Sequence, residues 1–246
     1  MGLFSNINAL ANPLRFMNFS ARALPWFGWL AAILLVVGFV WGLFFAPPDY
    51  QQGDTVRIMF VHVPSAWLSM FAYSVVAGSS IVGLIWRHSL ADVAAKSAAP
   101  LGAAFTFLGL VTGALWGQPM WGTFWVWDAR LTSMLVLFFI YLGYIAIWEV
   151  FEDQKKASRA AAILAIVGSI NAVIVKYSVD WWNTLHQPAS VSRLDAPAIH
   201  WTILAPLLIL ALGYTVLFLS LLLMRMRTEV TRQRIRALQM SQAAGR

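Results

Sequence analysis

The sequence predicts an all-α integral membrane protein with six transmembrane helices, both termini cytoplasmic and a tryptophan-rich outer loop between helices 3 and 4. Three observations predict it. Of the 246 residues, 60% are hydrophobic and only 11% are charged, where a soluble domain carries roughly 25% charged residues. The apolar residues gather into six continuous runs, each close to the about 20 residues that a bilayer core requires. Lysines and arginines fall mostly on alternate connections, as they do in loops retained in the cytoplasm. Continuous rather than alternating apolar runs argue against a β-barrel.

The first run extends from Leu24 to Ala46 and stops at Pro47-Pro48. It is too long for the core of a signal peptide, and no convincing small-residue cleavage site follows, so a retained helix is expected. Met1 to Ala23 before it is mildly amphipathic and suits the membrane surface. The second run spans Ile58–Trp86, the third Ala98–Leu115 and the fourth Leu131–Val150. The fifth spans Ala160–Val179 and the sixth Trp201–Met224. No internal repeat or interdomain linker interrupts them. Residues 1–246 are therefore expected to form one polytopic membrane domain, with an outer tryptophan-rich loop over 116–130 and a basic cytoplasmic tail over 225–246.

Net charge is +7. Thirteen of the 17 Lys and Arg residues lie on one side: Arg15, Arg22, Arg87, Lys96, Lys155, Lys156, Arg159 and the six arginines from Arg225 onward. Only Arg57, Arg130, Lys176 and Arg193 lie on the other. This asymmetry places both termini in the cytoplasm, and orientation, not nucleic-acid binding, accounts for the basicity. The tail is a solvated extension or a contact with anionic lipid. No P-loop supports an ATPase. Without paired carboxylates in the spans, an ion-coupled pump is disfavoured. No cysteine is present, which excludes disulfides, thiolate metal sites and thioether attachment of a haem.

The densest chemical signal is Trp116-Gly117-Gln118-Pro119-Met120-Trp121-Gly122-Thr123-Phe124-Trp125-Val126-Trp127-Asp128-Ala129-Arg130. Gly117, Pro119 and Gly122 are expected to break any helix there. Four indoles and a phenyl ring at one membrane face form either an aromatic belt or a platform for a large flat apolar ligand. Asp128 stands where the fourth helix begins and can satisfy its first N–H groups. Arg130 can grip a phosphate or a carboxylate.

His62, His186 and His200 belong to the same outer face, whereas His88 is a polar residue of an inner loop. A single imidazole at an interface is an amphipathic anchor. Two on separate outer segments, each beside aromatic rings, also suit the axial positions of haem iron. Zinc is the competing metal, drawing on His62, His186, His200 and Asp128, yet no zinc-binding spacing supports it. Asn171 is expected to bond across helices, and Lys176 to snorkel. No nucleophile–base pair stands out, so the chain is not expected to be an enzyme.

The motif from Trp116 to Thr132 closely resembles the tryptophan-rich WWD signature of haem-handling proteins in cytochrome c biogenesis. Within that superfamily the chain resembles the haem exporter protein C family (CcmC). The further matches are Phe45-Ala46-Pro47-Pro48-Asp49-Tyr50-Gln51-Gln52-Gly53, His62-Val63-Pro64-Ser65-Ala66 and Tyr177-Ser178-Val179-Asp180-Trp181-Trp182-Asn183-Thr184-Leu185-His186-Gln187. Phe124 replaces a tryptophan of some relatives, keeping a ring, and Met134 offers no carboxylate.

The resemblance implies a protein of the bacterial inner membrane that holds haem b non-covalently, in transit, at the outer face. It implies His62, near the outer end of the second span, and His186 as axial ligands to iron. It implies a platform of Trp116, Trp121, Trp125 and Trp127, closed by Asp128. A haem propionate is the carboxylate for which Arg130 is suited. The implied partners are the haem chaperone CcmE, which receives the haem, the ABC transporter subunits CcmA and CcmB, the small membrane protein CcmD and the lipid bilayer. The alternative is a structural membrane subunit of an ABC transporter complex, with the tryptophan-rich loop docking a partner.

Overall fold

A computed structural model describes residues 12–186, 191 and 198–244. The helices are α1 (Pro13–Val40), α2 (Met59–Trp86), α3 (Ser89–Trp121), α4 (Ala129–Val150), α5 (Gln154–Trp181) and α6 (Trp201–Ala244). A π-helical turn, Trp41–Phe45, continues α1, and a 3-10 turn, Asp54–Ile58, leads into α2. All six helices are long and apolar enough to cross a membrane. Among the described residues there is no strand, only an isolated bridge between Asp49 and Gly53.

The six expected spans are all present, and four run well past their apolar runs. α1 begins at Pro13 rather than Leu24, so Pro13–Ala23 is the first part of a continuous helix and not a separate surface segment. The Asn12 side chain accepts a hydrogen bond from the Leu14 N–H at 2.8 Å. With a proline in the first turn this is a strong start signal, but hydropathy does not register it. α3 and α5 likewise start earlier, at Ser89 and Gln154, each capped by the preceding side chain, His88 and Asp153. His88 is therefore a helix cap.

The expected loop over 116–130 is shorter. α3 continues through Gly117 and Pro119 to Trp121, and only Gly122, with φ of 76°, ends it in the left-handed region. Proline removes one backbone hydrogen bond, and membrane helices tolerate that loss where neighbours compensate. Trp116 and Trp121 thus sit on a helix, and only Gly122–Asp128 is irregular.

The bundle is built on α2 and α3, which pack along each other and both touch α6. α5 packs on α4 and α2, while α1 is peripheral and rests mainly on α6. Small residues let these helices approach closely. A Cβ at Gly102 would lie 2.3 Å from the Tyr141 ring, and one at Gly168 would lie 2.1 Å from the Tyr73 hydroxyl. Both tyrosines donate to carbonyls of neighbouring helices, Tyr141 to Ser69 at 2.7 Å and Tyr73 to Ala165 at 2.8 Å. Asn171 bonds across helices as expected, donating to the Ser133 carbonyl at 3.0 Å.

The arginine-rich end is more ordered than a solvated tail. α6 runs unbroken past Met224, and Met226, Glu229 and Val230 are buried. Glu229 pairs with Lys96 at 2.8 Å and Arg232 at 3.2 Å. Lys96 also lies 4.8 Å from the centre of the Trp148 ring. The Arg225 guanidinium donates to the Ser97 carbonyl at 3.1 Å, and Arg227 donates to Ser20 Oγ at 2.8 Å. The first two turns of the tail are therefore docked onto α3 and α1.

Candidate functional site at the tryptophan-rich end

His62 is the fourth residue of α2, inside the expected second span and close to its first end. Its Nδ1 lies 3.1 Å from the Gly109 carbonyl and 3.2 Å from Thr112 Oγ1, both on α3. A carbonyl only accepts, so Nδ1 carries the proton and donates. Nε2 then holds the lone pair, and among the described residues no hydrogen bond reaches it. A Cβ at Gly113 would lie 3.0 Å from the His62 ring, so a larger residue there would press on it. Trp116, one turn further along α3, stands edge-to-face to the imidazole at 5.6 Å. Its indole N–H donates to Gln52 Oε1 at 3.0 Å, tying the α1–α2 connection to the site.

His186 follows α5, and its environment repeats this logic with a different acceptor. Nδ1 lies 3.0 Å from Asp128 Oδ2. The same oxygen accepts from the Thr184 hydroxyl, whose own oxygen accepts the His186 backbone N–H at 3.1 Å. Asp128 is also the N-cap of α4, its other oxygen accepting from the Leu131 N–H at 2.8 Å. The expected capping role therefore holds, and the carboxylate is shared. Burial would raise the Asp128 pKa, but the hydrogen bonds from Thr184, Leu131 and His186 outweigh it and hold the carboxyl below its usual range. For His186, burial outweighs the attraction of Asp128 and keeps the imidazole pKa below its usual value. That direction favours the neutral ring, with Nδ1–H facing the carboxylate and Nε2 left as an electron-pair donor that no hydrogen bond reaches among the described residues. Trp121 contacts it edge-to-face at 4.9 Å.

Trp125 and Trp127 meet edge-to-face at 5.4 Å on the irregular segment. Trp127 is 75% exposed and Phe124 56%. The Trp125 indole N–H is buried and has no partner among the described residues. Arg130 donates through Nε to Ser178 Oγ at 2.8 Å, and its charge acts on both imidazoles. His200 stands apart, its Nδ1 2.9 Å from Thr202 Oγ1 at the start of α6. Among the described residues no three His, Cys, Asp or Glu side chains cluster as metal ligands. The zinc grouping of His62, His186, His200 and Asp128 is therefore not assembled.

Sequence reasoning missed Gly109, Thr112 and Gly113 behind His62, and Thr184 behind His186. Only Thr184, two residues before a candidate ligand, carried a local signal.

Fold and site together define a polytopic α-helical membrane protein that presents two imidazoles and a set of indoles at one end of its bundle. The family model for heme exporter protein C matches residues 6–241. The chain is 57% identical to heme exporter protein C of Bradyrhizobium diazoefficiens, covering 96% of this chain and 89% of that one. It is 46% identical to the Haemophilus influenzae protein of that name, covering 92% of each chain. Against the Escherichia coli K12 protein identity is 45%, covering 93% of this chain and 92% of that one. The chain belongs to the heme exporter protein C family, which is named for export rather than for a catalysed reaction.

Proposed function

We propose that this protein holds haem b, non-covalently and as cargo, at the outer face of the bacterial inner membrane, with both chain termini in the cytoplasm. It acts within a haem-export system beside ABC transporter subunits CcmA and CcmB and the small protein CcmD, and hands the haem to the chaperone CcmE. The observation that carries the reading is that each imidazole has Nδ1–H occupied by a hydrogen-bond acceptor and Nε2 left as a lone pair. Ligating histidines are oriented in this way, and their outer partners set ring tautomer and basicity. Two neutral imidazoles and a set of indoles suit haem iron and its macrocycle.

The roles follow from the contacts. His62 and His186 are the ligands. Trp116 and Trp121, each against one imidazole, wall the site, and Trp125 and Trp127 extend that wall toward the exposed surface. Asp128 orients His186 and makes it the more basic donor. His62, bonded to a neutral carbonyl, is the weaker one, which is the ligand more readily surrendered on transfer. Arg130 supplies positive charge for a propionate. The remaining chemistry is exchange of ligands, which needs no acid–base machinery on this chain.

The test is an absorption spectrum of the purified protein loaded with haem. The wild type should give a low-spin, six-coordinate Soret band. His62→Ala and His186→Ala should each give a five-coordinate or weakly bound haem, and the double variant should bind none. An unchanged spectrum in the double variant overturns the ligand assignment.

A further inference from the structure

At the arginine-rich end, opposite the tryptophan-rich segment, a groove of about 800 Å³ lies between the first turns of α1 and the extension of α6. Met17, Met224 and Ile235 supply apolar surface, and Arg227, Arg232 and Arg236 line it with positive charge. α6 is 44 residues long, which gives about 66 Å of helix, roughly twice the hydrocarbon thickness of a bilayer. Its apolar run ends at Met224, so the remainder projects about 30 Å further.

That projection has two halves. Up to Val230 it is docked through Met226, Glu229 and Val230. From Thr231 to Met240 every side chain is exposed. Exposed there are Ile235 at 50% and Leu238 at 64%. On a helix, Met224, Thr231, Ile235 and Leu238 fall on one stripe, with Arg227 and Arg232 on either side of it. An apolar stripe that runs from the docked half onto the exposed half, bordered by Arg227, by Arg232 (paired on one side with Glu229 at 3.2 Å) and by the exposed Arg236, invites an occupant with the opposite charge.

Two occupants carry that chemistry, an anionic lipid and an acidic amphipathic helix. The polar headgroup layer adds only about 5–8 Å on each side of the hydrocarbon. From Met224 to Gln239, both lining the groove, α6 rises about 22 Å. A lipid headgroup reaches the first third of that length and leaves Arg236 and Gln239 beyond it. A helix lying along the groove reaches all of it.

We infer that this groove docks an acidic amphipathic helix of a partner protein, its apolar face on the Met224–Ile235 stripe and its carboxylates against Arg227, Arg232 and Arg236. This is the helix-in-groove mode of recognition, with charge complementarity fixing orientation. Arg227 already donates to Ser20 Oγ, and a guanidinium has further donors for a carboxylate. The docking is independent of the outer histidines.

The experiment uses the full-length protein in nanodiscs of zwitterionic lipid. The probes are three labelled peptides of about five helical turns. The first has leucines on one face flanked by glutamates, the second is its scramble, and the third replaces the glutamates with lysines. Fluorescence anisotropy should show binding of the first peptide alone, weakened by added salt. Arg236→Glu and Ile235→Asp should each lower its affinity about tenfold, and Arg236→Lys should largely retain it. Both side chains are exposed, so neither change threatens folding, which melting temperature verifies. Equal binding of the scramble, or no effect of the two variants, overturns the inference. So does loss of peptide binding when part of the lipid is anionic, since lipid then fills the groove.

Discussion

Two aspartates cap helices in this bundle, and what separates them is the fate of the second carboxylate oxygen. Asp153 begins α5 at the arginine-rich end and receives the Lys155 and Lys156 N–H groups on Oδ1, at 2.8 and 3.4 Å. Asp128 begins α4 at the tryptophan-rich end and receives Leu131 on Oδ1, then Thr184 and His186 on Oδ2. The two positions are alike in local sequence logic: an acidic residue in extended backbone before a helix. They differ because a segment 56 to 58 residues away returns to one of them. A helix cap becomes the orienting group of a candidate ligand when tertiary structure supplies a second donor to it.

Breaking the shared cap should give the largest effect. Asp128→Ala removes both an N-cap, worth about 1 kcal/mol, and the acceptor for His186, and loss of such a partner costs about 10–100-fold in ligand affinity. Haem titration of the purified variant should show that loss together with a lower melting temperature. Asp128→Asn sharpens the point, since it keeps an oxygen acceptor and should retain more of the stability than of the haem affinity.

Thr184→Ala comes next. It removes one donor from Asp128 Oδ2 and the acceptor of the His186 backbone N–H, and should lower haem affinity several-fold with a shifted Soret maximum. Thr184→Ser should restore both, which a purely packing role for the methyl group would not allow.

Acid should then separate the two ends. The His186 pKa is below its usual value in the fold, so its neutral form contributes stability above about pH 6.5, lost as pH falls from there toward the folded-state pKa. Asp128 contributes in the same direction lower down, its stabilisation fading only as pH drops through and below the ordinary carboxylate range. Melting temperature of the haem-free protein should therefore be flat from pH 8 to about 6.5 and fall below that, and His186→Gln should flatten the first part of the decline.

The smallest effect belongs to Asp153→Ala. Its carboxyl pKa is held down mainly by the Lys155 and Lys156 N–H groups, but it is fully exposed to water. The change should lower melting temperature slightly and leave haem binding untouched. A haem defect in this variant would show that the two caps are not functionally distinct.

Six spans were legible because hydropathy responds to the bilayer, and the bilayer imposes its thickness on each run. The helix ends were not legible in the same way, because a helix does not stop where the hydrocarbon stops. Asn12–Pro13 starts α1 well before its apolar run, and Met226 and Val230 hold α6 to the bundle after its run is over. Pro119 misled for a related reason, since a rule learned from soluble helices was applied where neighbouring helices relieve its cost. In the site, residue types and resemblance singled out His62, His186 and Asp128. What no local reading contains is the bond from His62 to Gly109, 47 residues away, or that from His186 to Asp128, 58 residues away.

The left-handed turn at Gly122 has one more consequence. Gly109, Thr112, Gly113, Trp116 and Trp121 all precede it on α3, whereas Asp128 follows it at the foot of α4. One imidazole is thus indexed to the rod before the bend and the other to the rod after it. Sliding or tilting of either rod would change how the two imidazoles stand to one another, which makes the angle at a single glycine a dial on the spacing of the two rings.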